Sequence, residues 1–238
     1  MIFVAAPPAF AHTDNPAPVS APNLQPGDTW VYDRTQEDGT STFSEKRIDL
    51  KIERVGTDTL VEGIKADAAP TDYEDHIAGV DWSQRRIVDG QETVTGRPFS
   101  FPLVIGKTWT ADYVEPRQYG LQTFARFHTV YKVVGWEDVV VPAGTFRALK
   151  VEANGTIEAR MAPAAAAVSG GMVTPSGGTA VAQTARVPAK TVYALEYSEF
   201  YYVPAVKYYV KSVEDQYNSD NVRTRRVTET LVSFKASP

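Results

Sequence analysis

The chain has 238 residues, 43% apolar and 22% charged, which excludes disorder throughout and suits one large all-β domain or two small ones. With 24 basic against 29 acidic residues, the net charge of −5 attracts no polyanion, so nucleic acid is excluded as a partner. The absence of cysteine excludes disulfides, thiolate catalysis and Cys-ligated zinc.

Residues 1–11, MIFVAAPPAFA, end in the small-x-small pattern Ala9-Phe10-Ala11 and read as the trailing part of a signal peptide cleaved after Ala11. Residues 12–26 are rich in Pro, Ala and Ser and read as a flexible tether. No later apolar run approaches the roughly 20 residues that span a bilayer, so no membrane span is expected. A single β domain is expected from 27 to 238. Its alternation is clearest at Arg47 to Glu53, where Ile48, Leu50 and Ile52 share one face and the charges share the other. Leu121 to Val134 behaves alike, with Ala125, Phe127, Tyr131 and Val133 on one side.

Further strands are predicted at 29–35, 58–67, 80–88, 91–100, 107–114, 145–157, 190–202, 206–214 and 222–234, separated by short turn sequences that imply antiparallel neighbours. No segment sustains helical periodicity. The expected fold is therefore all-β, an antiparallel barrel or half-barrel of about ten to twelve strands. Two similar halves are suggested by Gly27-Asp28-Thr29-Trp30 matching Gly106-Lys107-Thr108-Trp109, and by Val55-Gly56 matching Val134-Gly135 at the same offset.

In VVVPAGTF, Val139 to Phe146, proline stops the ladder and glycine allows a reversal, so two strands meet there in a tight turn. Beyond it Phe146 and then Leu149, Val151 and Ala153 are out of phase, which predicts a bulge near Arg147 or Ala148. Residues 161–189 carry too little bulky apolar surface to order themselves and read as a disordered insertion.

Three motifs in order, Pro102-Leu103-x-x-Gly106-Lys107-x-Trp109, Val141-Pro142-Ala143-Gly144-Thr145-Phe146 and Tyr201-Tyr202-Val203-Pro204-Ala205-Val206, resemble an exported bacterial β-rich domain of unknown function, termed TapB-like, over roughly residues 100–235. The resemblance implies a periplasmic or secreted bacterial β-protein. It implies no site residue, and Lys207 stands where that family usually has glycine.

Asp72, Glu74, Asp75 and His76 gather carboxylates and an imidazole, but their spacing matches no ligand set and reads as a solvated acidic loop after Thr71. His128 lies on the polar side of a long strand. Cleavage after Ala11 would expose His12, whose amine and imidazole could chelate copper, with His76 or His128 as third ligand. There is no Gly-x-Ser-x-Gly elbow and no phosphate-loop signature, so neither enzyme nor cofactor is expected. Tyr193, Tyr197, Phe200, Tyr201, Tyr202, Tyr208 and Tyr209 crowd two predicted strands, a density that lines an amphiphile pocket or plugs a barrel. The ligand-binding candidates are Trp30, Trp109, Tyr193, Tyr197, Tyr201 and Tyr209. The expected function is an exported binding module for an amphiphilic or apolar small ligand, such as a lipid. The alternative is a structural or assembly protein contacting an envelope protein.

Overall fold

Alternating apolar and polar residues carry the chain through fourteen strands in the computed structural model, which describes residues 17–39, 42–66, 72–115, 122–167 and 184–236. These are β1 (Thr29–Asp38), β2 (Thr42–Val55), β3 (Thr59–Ala66), β4 (Glu74–Gly79), β5 (Gln84–Val88), β6 (Gln91–Gly96), β7 (Thr108–Glu115), β8 (Gln122–Val141), β9 (Gly144–Met161), β10 (Ala164–Ala167), β11 (Thr184–Val187), β12 (Lys190–Val203), β13 (Tyr208–Tyr217) and β14 (Arg223–Lys235). Twelve of them form one antiparallel sheet, in the order β6-β5-β4-β3-β2-β1-β14-β13-β12-β9-β8-β7. The sheet curls into a nearly closed barrel, and the described residues contain no helix. Its two edges, β6 and β7, face each other across a seam with no ladder between them. Side chains bridge that seam: Arg86 Nη1 lies 2.6 Å from Glu115 Oε1, and Trp109 Nε1 donates to Arg97 O at 2.7 Å.

Two stretches expected to lack structure make main-chain hydrogen bonds instead. Within the segment read as a tether, Val19 and Leu103 exchange main-chain hydrogen bonds of 2.9 and 2.8 Å, and Leu24 is buried. Val19 and Leu24, on either side of Pro22, anchor this segment to the barrel. Residues 1–16, with Ala11 and His12, lie outside the described residues. Both flanks of the segment read as a disordered insertion pair with each other as β10 and β11, while residues 168–183 lie outside the described ones.

The stretch read as an acidic loop also differs, because Glu74, Asp75 and His76 open β4. The strand predicted at 80–88 is shortened to β5 by a turn in which Trp82 takes φ 63° and its amide donates to Gly79 O at 2.8 Å. That turn delivers the Trp82 indole to the core, a tertiary gain that overrides the local strand preference.

The reversal at Pro142-Ala143 joins β8 to β9 by a two-residue turn, with Gly144 at φ 132°. The expected bulge near Arg147 or Ala148 is not there. The extra residue is Val134 on β8, between the pairs Val133↔Val151 and Gly135↔Lys150. Past it, Ala148 and Phe146 turn to the opposite face from Leu149, and they remain covered because the hairpin tip docks on β14. Ala143 N donates to Leu231 O at 2.9 Å, and Phe146 meets Phe234 edge-on.

The two Gly-x-Thr-Trp units fold alike. Gly27 and Gly106 both take positive φ, 90° and 85°, which glycine adopts without strain. Gly27 N donates to Ile52 O and Ile52 N to Asp28 O, while Gly106 N donates to Val133 O and Val133 N to Lys107 O. The residue after each partner, Glu53 or Val134, is a bulge. The structural counterpart of Val134 is therefore Glu53, two residues before the Val55 that sequence matching paired with it.

One end of the barrel is plugged by aromatic rings. Trp82 stacks on Tyr208 at 3.8 Å between centroids, Trp30 meets both edge-on, and Tyr209 packs on Tyr208 and Tyr32. The turn from Pro204 to Lys207 organises this end: Val206 O accepts from Trp30 Nε1 and Lys207 O from Trp82 Nε1, each at 2.8 Å. Lys207 has φ 63°, and its Nζ donates to Asp28 Oδ2 at 3.1 Å and Asn23 O at 2.7 Å. Asp28 is wholly buried and also accepts from Gln25 N at 3.0 Å, and Lys207 supplies the opposite charge that a buried carboxylate needs.

Leu50→Asp puts a charge among buried side chains and is expected to abolish cooperative folding or cost more than about 3 kcal/mol. Lys51→Asp forfeits a half-exposed contact with Glu53 and should cost less than about 1 kcal/mol by urea denaturation. Equal tolerance of the pair would contradict the assigned faces. Lys207→Met leaves Asp28 without its cation and is expected to cost about 3 kcal/mol. A loss below about 1 kcal/mol would mean the pair is dispensable.

Candidate functional site

Below the aromatic plug the inward positions turn polar, because the ladders carry their alternation on past the point where rings can fill the lumen. Gln36, Val227, Glu214, Ser198, Ala153 and Tyr131 stand in one cross-strand row. Asp38, Arg225, Gln216, Glu196, Gly155 and Thr129 stand in the next. Between these rows and the seam lies a cavity of about 210 Å³. Glu196, Ser198 and Glu214 line it from β12 and β13, and Tyr113, Phe127 and Tyr131 from β7 and β8. Gln84 and Gly96 close it from the other edge of the sheet, so the cavity straddles the seam.

Its walls are preorganised by packing. Tyr113 and Phe127 lie parallel at 4.3 Å, and Tyr131 lies parallel to Trp109 at 5.5 Å while its hydroxyl accepts from Arg97 N at 3.4 Å. A Cβ at Gly155 would sit 3.1 Å from Thr129 Oγ1 and 3.2 Å from Glu196 Cβ, so the missing side chain lets Thr129 and Glu196 approach each other.

Electrostatically the cavity is acidic. Burial pushes Glu214 up to about 7, Glu229 and Glu196 add to the rise, and Arg34 opposes it. Glu214 keeps contact with water through the barrel mouth although the wall around it strips most of its hydration. Burial also raises Glu196, against a 3.2 Å hydrogen bond from Gln216 Nε2. Tyr131 is pushed up to about 12 by burial, with the Arg97 amide opposing and Glu196 and Glu214 adding. Glu62, on β3, is raised to about 7 by burial. Arg34 donates to Glu229 at 3.2 Å, and the Tyr209 hydroxyl donates to the same carboxylate. On the wall formed by β1 to β3, Arg34 and Lys46 line a separate hollow of about 220 Å³.

The six aromatic candidates do not converge on this cavity. Trp30 and Tyr209 are buried in the plug, and Trp109 is half-buried at the seam behind Tyr131. Tyr193, Tyr197 and Tyr201 alternate with the inward residues of β12 and so lie on its other face, where Tyr201 is nonetheless buried. Tyr193 is 60% exposed, while the Tyr197 and Tyr201 hydroxyls donate to Glu199, which also pairs with Lys150 at 2.8 Å. His76 is exposed near Glu74, and exposed His128 holds Asp112 Oδ1 at 2.5 Å from Nδ1. Thr71 lies outside the described residues, among which no three His, Asp or Glu converge as a metal site would require. The residues that sequence reading missed, Glu196, Ser198 and Glu214, carried one usable signal. Glu196 and Ser198 keep the phase of buried Phe200, and Glu214 that of buried Ser212.

No family model and no curated protein matches this chain. Among solved structures the chain is similar to a candidate exported protein with YmcC-like fold from Bacteroides fragilis, at 16% identity and TM-score 0.45. It is also similar to a candidate lipoprotein from Parabacteroides distasonis, at 15% identity and TM-score 0.43. Each alignment covers 92% of this chain and 100% of the other.

A Glu raised in the native state keeps its proton to higher pH than in the unfolded chain, so its contribution to stability is lost as pH rises from its unfolded value through the native one. For Glu214 and Glu62 that window runs from about 4.5 to about 7. The melting temperature is expected to fall as pH rises from about 4.5 to about 7, and Glu214→Gln should flatten part of that fall. An identical slope in the variant would show that Glu214 titrates normally.

Proposed function

We propose that the chain is an exported small-ligand-binding module that holds its ligand in the polar half of the barrel and performs no chemistry on it. The observation that supports this reading is the cavity itself: ladders from both edges of the sheet wall it, and an aromatic plug closes the end beyond it. Rigid walls with a few convergent polar groups are what small-ligand sites use. At about 210 Å³ it is smaller than the roughly 300–1,000 Å³ of pockets that take drug-sized ligands, so the occupant is small. An acyl chain would instead need the volume that Trp30, Trp82, Tyr208 and Tyr209 already fill. The signal-like residues 1–11 and the likeness to TapB-like domains support a periplasmic or secreted setting.

An assembly role draws on a different observation. Tyr193 and Leu195 are 60% and 42% exposed on the outer face of β12, and exposed apolar side chains grouped on one face mark contact surfaces.

Native mass spectrometry of protein purified gently from an envelope fraction, followed by denaturation and extraction, separates the two readings. A small molecule is expected to be released from the natural chain. Ser198→Leu, which fills the cavity, should release far less, and Tyr193→Ala the same amount. If neither extraction nor a millimolar fragment screen finds a ligand, and Tyr193→Ala alone disrupts a co-purifying protein complex, the assembly reading replaces this one.

A further inference from the structure

The chemistry of the cavity walls selects among small ligands. Four aromatic rings line it, those of Tyr113, Phe127, Tyr131 and Phe200, and two carboxylates, those of Glu196 and Glu214. The lining includes no lysine or arginine. Arg34, the cation that acts on Glu214, is engaged by Glu229, Arg86 by Glu115 and Arg225 by Asp38, and no donor hydrogen-bonds the Glu214 carboxylate among the described residues. Ring faces carry negative potential, and a partly desolvated carboxylate without a side-chain donor, Glu214, has only water from the barrel mouth to compensate its charge. A cation between them would meet favourable potential from rings and carboxylates alike, whereas an anion would meet repulsion from both carboxylates.

Resting on the small-ligand reading, we propose that this cavity binds a small organic ammonium cation, caged by Tyr113, Phe127, Tyr131 and Phe200 and charge-paired to Glu196 and Glu214. A bare metal ion fits the walls poorly, because the ligating side chains do not converge as a group of three. An alkylated ammonium suits rings better than a metal does, since its charge is spread over C–H groups that touch the ring faces without demanding oxygen ligands. Thr129, Ser198 and Gln84 supply polar atoms for a hydroxyl or amide elsewhere on the same ligand. Raised carboxylates agree with this arrangement: burial holds Glu214 and Glu196 above their ordinary range, the charges of Glu229 and Glu196 add to the rise at Glu214, and a bound cation would offset the cost of ionising both.

The test is isothermal titration calorimetry at pH 8 on the full chain. The probes are choline, its neutral carbon isostere 3,3-dimethyl-1-butanol, and the anion 3,3-dimethylbutyrate. Choline is expected to bind, the isostere at least about tenfold more weakly and the anion not at all. Glu214→Gln and Glu196→Gln should each weaken choline about tenfold while the melting temperature confirms that the barrel is intact. If the isostere or the anion binds as well as choline, or if neither Gln variant changes the affinity, the cation assignment is wrong while the pocket reading survives. If no probe binds and no ligand is extracted from the natural protein, both fail together.

Discussion

The ion pair between Lys207 and Asp28 is the constraint from which the rest of the barrel takes its form. A wholly buried carboxylate requires a compensating charge, and the turn from Pro204 to Lys207 supplies one from the start of β13, two strands along the sheet from β1. With that turn in place, its carbonyls at Val206 and Lys207 become acceptors for the Trp30 and Trp82 indoles. Both large rings are thus held by their polar as well as their apolar parts, which a ring packed by shape alone would lack. The left-handed backbone at Lys207 would suit glycine sterically. Lysine there accepts some strain and gives a charge to Asp28.

Once one end is plugged, the other end must differ. The longest strands, β8 and β9, run well past the last ring of the plug, so their inward positions need either more apolar filling or polar side chains facing water. This chain takes the second course. Gln36, Glu214, Ser198 and Thr129 occupy positions where a filled barrel would carry valine or leucine, and Gly155 withholds a side chain altogether. Such residues oppose collapse of the lumen, because each would have to shed water without gaining a partner.

Strands with one buried face were legible in the sequence. Ile48, Leu50 and Ile52 alternate with charges, and the observed ladder places Leu50 and Ile52 in the core. The Gly-x-Thr-Trp repeat was legible too, since a turn needing positive φ leaves glycine in the sequence. Bulges were not, because they are properties of a strand pair. The phase change at Phe146 to Leu149 was visible, but its cause lay at Val134 on the partner strand. Trp82 was hidden likewise, its turn depending on an acceptor far along the chain. The cavity was hardest to read. Glu196 and Glu214 look like ordinary surface carboxylates until register places them on the same side as Phe200 and Ser212. Aromatic density drew attention instead to Tyr193, Tyr197 and Tyr201, which point the other way.

The seam between β6 and β7 has a consequence for how such proteins avoid one another. An open sheet of twelve strands ends in two rows of main-chain donors and acceptors, each a template on which a second molecule could add a strand. Here curvature turns the two rows toward each other, and Arg86, Glu115, Trp109 and Arg97 hold them at side-chain distance. Neither row offers the straight, unobstructed border that runaway intermolecular pairing requires. The barrel therefore guards its own edges without the last ladder of hydrogen bonds, and shape alone does what covalent or fully paired closure does elsewhere.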